Sequence, residues 1–213
     1  MTEAVLFDMD GVLLDSEKIY IACWVKAGQA LGLEFQYENA LELRSLERPS
    51  AIKSFEKWYG DGSWWKKVYD KRVEFMAEEL KKNPIELKPY AVETLNALKE
   101  RGYKTALVTA TDYETAIKRV KDAGLFDYLD EIVSAKSVEH GKPYPDPYLF
   151  ACEKIGVKPE NTIAVEDSPN GVRSASSAGC KTVMVPDLTE PDEELSKLLY
   201  AKCKDLSGLI NLV

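Results

Sequence analysis

Short apolar runs, each closed by a polar residue or a helical stretch, punctuate the chain. They are Ala4-Val5-Leu6-Phe7, Thr105-Ala106-Leu107-Val108, Ile163-Ala164-Val165 and Thr182-Val183-Met184-Val185. None alternates apolar with polar, so each reads as a strand buried on both faces of a parallel sheet. Glu131-Ile132-Val133 is a weaker candidate of the same kind. Between the runs, apolar residues recur at helical spacing: Val92, Leu95 and Leu98, then Ala116, Ile117 and Val120, then Val172, Ala175 and Ala178. Gly102, Gly124, Gly156 and Gly179 follow helical stretches, where a left-handed residue closes a helix. Strands alternating with capped helices predict βαβ crossovers and a doubly wound parallel sheet, an α/β fold.

The rhythm breaks between residues 15 and 84. Strand signals stop, and two helical stripes take over: Ile19, Cys23, Ala27, Ala30 and Leu31, then Trp65, Val68, Tyr69, Val73, Met76 and Leu80. Asn83-Pro84 ends the second. The pattern predicts an all-helical insertion over 15–84, set into an α/β core made of 1–14 and 85–213. It sprouts beside the carboxyl end of the first strand, where open α/β sheets bind ligands.

Composition narrows the field. A formal net charge of −8 argues against nucleic acid and anionic membranes as general partners, because both reward clustered Lys and Arg. No apolar stretch reaches the ~20 residues of a membrane span, and Met1-Thr2-Glu3-Ala4 carries no basic leader. Cys23, Cys152, Cys180 and Cys203 lie far apart, as reduced buried thiols do. The expectation is a cytoplasmic protein that works as a monomer or weak dimer on a small molecule.

The chemistry gathers where strands end. Asp8-Met9-Asp10-Gly11 follows the first strand directly, and aspartate is a poor core residue. Paired carboxylates there suit Mg²⁺, a hard cation that takes one or two of them, and an aspartate also serves as a phosphoryl acceptor. A solvated Asp-Gly turn explains the same four letters. Glu166-Asp167 then repeats the pattern after Ile163–Val165, and parallel strands bring both pairs to one edge. Clustered carboxylates repel unless a cation neutralises them. Thr109 ends another strand, with the amides of Ala110 and Thr111 placed for phosphate oxygens, although a simple helix cap accounts for a threonine there as well. Lys142 sits in His140-Gly141-Lys142-Pro143-Tyr144-Pro145-Asp146-Pro147, whose prolines stiffen the loop that aims it.

DxDGV, the strand-end threonine, GKPxPDP and EDSxxG, in that order, resemble the four motifs of the haloacid dehalogenase (HAD) superfamily, and the match covers nearly the whole chain. The 15–84 insertion resembles the helical cap of the subgroup that holds β-phosphoglucomutase, phosphoglycolate phosphatase and sugar-phosphate phosphatases. The resemblance implies a Mg²⁺-dependent phosphatase acting on a small phosphate monoester. Asp8 would be the nucleophile that becomes aspartyl-phosphate, and Asp10 the general acid and then base. Mg²⁺ would be held by Asp8, the Asp10 carbonyl and Asp167, with Glu166 supporting. Thr109 and Lys142 would grip the phosphoryl group, and Ser16 would lie in the hinge toward the cap.

A sugar-phosphate mutase of the β-phosphoglucomutase kind is the alternative. Such mutases carry a histidine early in the first cap helix, where this chain has Tyr20, and the sole histidine here is His140. Arg44 and Arg48 fall where the family presents a substrate loop. Arg48 is the candidate clamp for a second anionic group, against a plain surface role for both. Ser45 stands where that loop commonly has glycine. Trp58, Trp64 and Trp65 at helical spacing are expected to form the insertion's own core, and His140 an exposed neutral side chain.

Overall fold

The first apolar run is strand β1, Ala4–Phe7. Four helices follow before the next strand: α1 (Glu17–Ala30), α2 (Tyr37–Glu42), α3 (Arg48–Tyr59) and α4 (Trp64–Lys82). The chain then alternates through α5 (Ala91–Glu100), β2 (Lys104–Thr109), α6 (Tyr113–Asp122), β3 (Glu131–Ser134), α7 (Asp146–Ile155), β4 (Thr162–Glu166), α8 (Pro169–Ser177) and β5 (Lys181–Met184). A four-residue helix α9 (Glu193–Ser196) and a two-residue strand β6 (Ala201–Lys202) close the series. The computed structural model describes residues 1–213.

All six strands run parallel in the order β3-β2-β1-β4-β5-β6. Both faces are covered, which is why the strands read as unbroken apolar runs. Val5 and Phe7 point into one core with Leu95, Leu98 and Val120. Ala4 and Leu6 point into the other with Tyr148, Ala151 and Ala175. The connection after β1 runs to β2 on one side, while the connection after its other neighbour, β4, runs to β5 on the opposite side. The carboxyl end of β1 is thus the switch point at which such sheets bind ligands.

Helices α1–α4 surround a separate apolar cluster in which Phe35, Phe55 and Val68 are fully buried. Trp65 belongs to that cluster and Trp58 and Trp64 pack on it, as expected of aromatic residues at helical spacing. Three details of the stripes differ. On α1, Ile21 rather than Ile19 is buried with Cys23 and Ala27, and Ala30 is exposed. Val73 is exposed on α4, and its neighbour Arg72 lies among the rings of Tyr20, Trp24 and Tyr69 at 5.0–5.2 Å. A guanidinium spread on aromatic faces occupies the place an aliphatic residue was expected to fill.

The chain enters and leaves this helical unit through adjacent backbones. Leu14 and Leu87 form an antiparallel bridge, Asp15 N–H donates to Glu86 O at 2.9 Å, and Lys88 N–H donates to Leu13 O at 2.9 Å. The C-terminal turn Leu206–Asn211 buries Leu206 and Leu209 against the core that holds α5, a packing element with no periodic signal of its own.

Candidate active site

Register brings the acids together. Phe7 pairs with Leu107 on one side and Val165 on the other, so Asp8 emerges between Val108 and Glu166. One ligand oxygen from each of Asp8, Glu166 and Asp167 lies within 4.8 Å of the others, and all three residues are buried. Three anions at such spacing, out of water, are costly without compensation.

Lys142 supplies part of it. Its ammonium is fully buried and donates to Asp8 Oδ1 at 2.8 Å, Val108 O at 2.9 Å and Glu166 Oε1 at 2.6 Å. All three of its protons are used. Burial alone would pull its pKa down; Asp8 and Glu166 more than reverse that and leave it above the ordinary lysine value. Tyr148, from α7, adds a phenol hydrogen bond to Glu166 Oε1. Nothing in the sequence pattern pointed to Tyr148, whose hydroxyl reaches the site because α7 packs against β2 and β3.

The compensation is incomplete. Glu166 Oε2 and Asp167 Oδ1 are buried and have no hydrogen-bond partner. Burial, offset in part by Lys142, pushes the Asp8 carboxyl up to about 7, and burial likewise lifts Asp167 well above the usual carboxylate range against the pull of Arg44. Three carboxylates with two orphaned oxygens fit a hard divalent cation such as Mg²⁺, which takes oxygen ligands and restores the missing charge.

Asp10 stands apart from this trio. Its carboxylate accepts from Ser16 Oγ at 2.6 Å, Thr111 Oγ1 at 3.0 Å and Arg119 Nη1 at 3.4 Å. The four acids expected in one cluster are three plus a separately held fourth. Thr109 is 1% exposed, and its hydroxyl accepts from Thr111 N–H at 3.1 Å. Ala110 and Thr111 are half-buried in the loop beyond β2. Ser168 caps α8 by accepting from Gly171 N–H.

The two arginines of the loop and helix after α2 take different places. Arg48 is exposed at the start of α3 and lies over the Trp65 ring at 4.7 Å, so it does not reach the acids. Arg44 does: it is 5% exposed and donates from Nη1 to Asp167 Oδ2 at 3.0 Å and from Nη2 to Thr189 Oγ1. Ser45, next to it, takes φ 53° where glycine is usual, and this turn carries Arg44 inward. Asn170 Nδ2 holds Arg44 O at 2.9 Å, while Glu47 Oε2 accepts from Gly141 N–H at 2.9 Å. The loop between α2 and α3 is therefore fastened to the loops that carry Lys142 and Asp167. Arg119, whose position on α6 gave no hint in the sequence, also stacks on Tyr20 at 5.2 Å. His140 is exposed beside Tyr144.

Two glycines allow the acids this closeness. Gly11 has φ +86°, and a Cβ there would fall 2.4 Å from Asp167 Oδ2. A Cβ on Gly171 would fall 1.9 Å from Glu166 Oε2. Gly171→Ala is therefore expected to push Glu166 off Lys142 and to cost about 1–3 kcal/mol of stability, read by denaturant unfolding. An unfolding midpoint equal to that of the unsubstituted protein would mean that Glu166 is not packed against α8 as described.

Comparison with known proteins agrees with this arrangement. Residues 2–179 match the haloacid dehalogenase-like hydrolase family. The phosphorylated carbohydrates phosphatase of Thermotoga maritima is 32% identical over 185 residues, 85% of this chain and 83% of the relative. Hexitol phosphatase B of Escherichia coli K12 is 29% identical, with 96% of each chain covered. The structure of β-phosphoglucomutase from Clostridium difficile superposes with a TM-score of 0.81 at 21% identity, over 98% of this chain and 93% of that one, a likeness of fold. With its acids at the switch point of a doubly wound sheet and its family motifs in order, the chain belongs to the haloacid dehalogenase-like hydrolases.

Proposed function

We propose that the protein is a Mg²⁺-dependent phosphatase of small phosphate monoesters, sugar phosphates or close analogues, that works through an aspartyl-phosphate on Asp8. In this reading residues 15–84 act as a cap over a core of 1–14 and 85–213. The observation that carries the proposal is the buried trio of Asp8, Glu166 and Asp167 with two orphaned oxygens and Lys142 at its centre. The names of the two phosphatase relatives support it.

The residues divide the work. Lys142 holds Asp8 Oδ1, which leaves Oδ2 free to attack phosphorus, and stays charged to offset the transferring group. Thr109, with the amides of Ala110 and Thr111, receives the phosphoryl oxygens. A cation held by Asp8, the Asp10 carbonyl and Asp167, supported by Glu166, would screen the charge between nucleophile and phosphate. Asp10 gives a proton to the leaving alkoxide as the P–O bond breaks, then takes one from the water that cleaves the aspartyl-phosphate and frees Asp8. Ser16, on the stem of the cap, holds Asp10 in the present arrangement, so cap movement decides when Asp10 is released to do this.

Tyr20 favours hydrolysis over a mutase reaction. It fills the place of the mutase histidine, packed between Arg119 and Arg72, and burial lifts its phenol above the normal tyrosine range. It is no proton carrier at neutral pH. The test follows the fate of β-glucose 1-phosphate with Mg²⁺ and a trace of the bisphosphate, beside a panel of sugar phosphates. Phosphate release from several esters without isomerisation is expected; fast formation of glucose 6-phosphate with little free phosphate would establish the mutase instead.

A further inference from the structure

Two cations are buried in the chain, Lys142 and Arg44. Lys142 belongs to the core and serves Asp8 and Glu166. Arg44 comes from the loop between α2 and α3, and its pair with Asp167 leaves 3% of the arginine side chain exposed and none of the aspartate. The loop does not need that pair to stay in place. Asn170 Nδ2 donates to Arg44 O, Gly141 N–H to Glu47 Oε2 and Glu47 N–H to Lys142 O, each at 2.9 Å, and none of these bonds uses the guanidinium. Nor does the guanidinium suit a plain anchor. Its Nε is buried without a partner, and the turn that brings it in puts Ser45 at φ 53°. A buried charge and a left-handed residue other than glycine persist where something further requires them.

What Arg44 brings to Asp167 is positive charge. Asp167 has an oxygen within 4.8 Å of those of Asp8 and Glu166, and Lys142 bonds both of those acids but not Asp167. A divalent cation held by the same three acids would supply the charge that Arg44 supplies now. A dication and a guanidinium on one buried carboxylate repel each other, most strongly where water is excluded. The sign of that repulsion is the same however many of the neighbouring acids are ionised.

We propose that Arg44 is a positioning residue that stands in for the metal: it neutralises Asp167 until Mg²⁺ binds, and Mg²⁺ then loosens its hold. Metal binding and closure of the α2–α3 loop onto the core therefore oppose each other. By reciprocity, the loop weakens Mg²⁺ binding by the same factor as Mg²⁺ weakens the loop's hold. This rests on the metal of the phosphatase reading above and adds to it a coupling between metal and cap. Mg²⁺ would thus ready the cap to lift for a substrate.

Titration calorimetry with Mg²⁺ alone tests this in the unsubstituted protein, in Arg44→Met, which keeps an unbranched side chain without its charge, and in Arg44→Lys, which keeps the charge. Arg44→Met is expected to bind Mg²⁺ roughly 5- to 150-fold more tightly, the usual size of a coupling between two sites. Arg44→Lys should restore the weaker binding. A merely structural role moves affinity the other way, because a disordered Asp167 binds metal less well. Amide hydrogen exchange needs no variant to fold. Mg²⁺ should speed exchange at Glu47 and Gly141, whose N–H groups cross between the two loops, in the unsubstituted protein, and leave both unmoved in Arg44→Met. Weaker or unchanged Mg²⁺ binding in Arg44→Met would overturn the role of Arg44 and leave the metal reading standing. So would exchange at these amides that Mg²⁺ slows or leaves alone in the unsubstituted protein. If neither protein binds Mg²⁺, the metal reading fails and the role of Arg44 falls with it. Binding in Arg44→Met alone would support both.

Discussion

Asp8→Asn is expected to reduce hydrolysis of phosphate monoesters by roughly 10⁴-fold or more, as loss of a nucleophile does in enzymes that form a covalent intermediate. The amide keeps the shape and can still accept a hydrogen bond from Lys142, so the site does not collapse. Stability should not suffer either. The Asp8 carboxyl titrates near 7 in the folded chain and near 3.8 otherwise, so the folded form binds its proton more tightly. Its ionisation therefore removes stability as pH rises from about 4 to about 7, and a neutral side chain avoids that cost. Phosphate release and thermal melting at pH 8 measure the two halves. A well-folded Asp8→Asn protein with near-normal turnover would rule out covalent catalysis at this residue.

Removal of divalent metal should have an effect of similar size. With EDTA in excess, turnover of every ester is expected to fall to background and to return on addition of Mg²⁺. The pH dependence follows from the same carboxyl. Below about 7 Asp8 carries a proton in the metal-free chain, and a cation must displace it. The Kd for Mg²⁺ should thus rise roughly tenfold per pH unit as pH falls below 7, per proton displaced, and level off above it. Titration calorimetry, or fluorescence of the tryptophans around Phe35 and Phe55, reads this without turnover. A Kd constant between pH 5.5 and 8, or full activity in EDTA, would mean that these acids serve another purpose.

Legibility in the sequence tracked the locality of each cause. The core strands are buried on both faces, so five of six announced themselves as apolar runs, with ends that shift by at most one residue. β6 is two residues long and has no period to detect. Asp8, Thr109, Lys142, Glu166 and Asp167 were legible because strand ends and a proline-stiffened loop place them without reference to distant chain. Arg119 and Tyr148 were not, and Arg44 was marked only as one of two arginines in the substrate-loop region. Each reaches the site from a helix or loop whose approach depends on packing between elements far apart in sequence. Arg44 and Arg48 make the point: four residues apart, one is drawn in by the turn at Ser45 and the other is left on Trp65. The stripe on α4 misled at Val73 because Arg72 is apolar enough along its length to lie among aromatic rings.

The bridge between Leu14 and Leu87 has a consequence of another kind. The backbones that lead into and out of α1–α4 already touch, so β1 and α5 are joined across a gap of almost no width, however long the excursion between them. The entropy of closing such an excursion grows only with the logarithm of its length. That makes the Leu14–Leu87 pair a graft point. A tight hairpin joining these two residues would satisfy the sheet as well as the present helices do, and so would a foreign insert with ends at the same spacing. Asp8 and Glu166 would keep the strand-end places that β1 and β4 give them, while Asp167 and Asp10 would lose the holds that Arg44 and Ser16 provide.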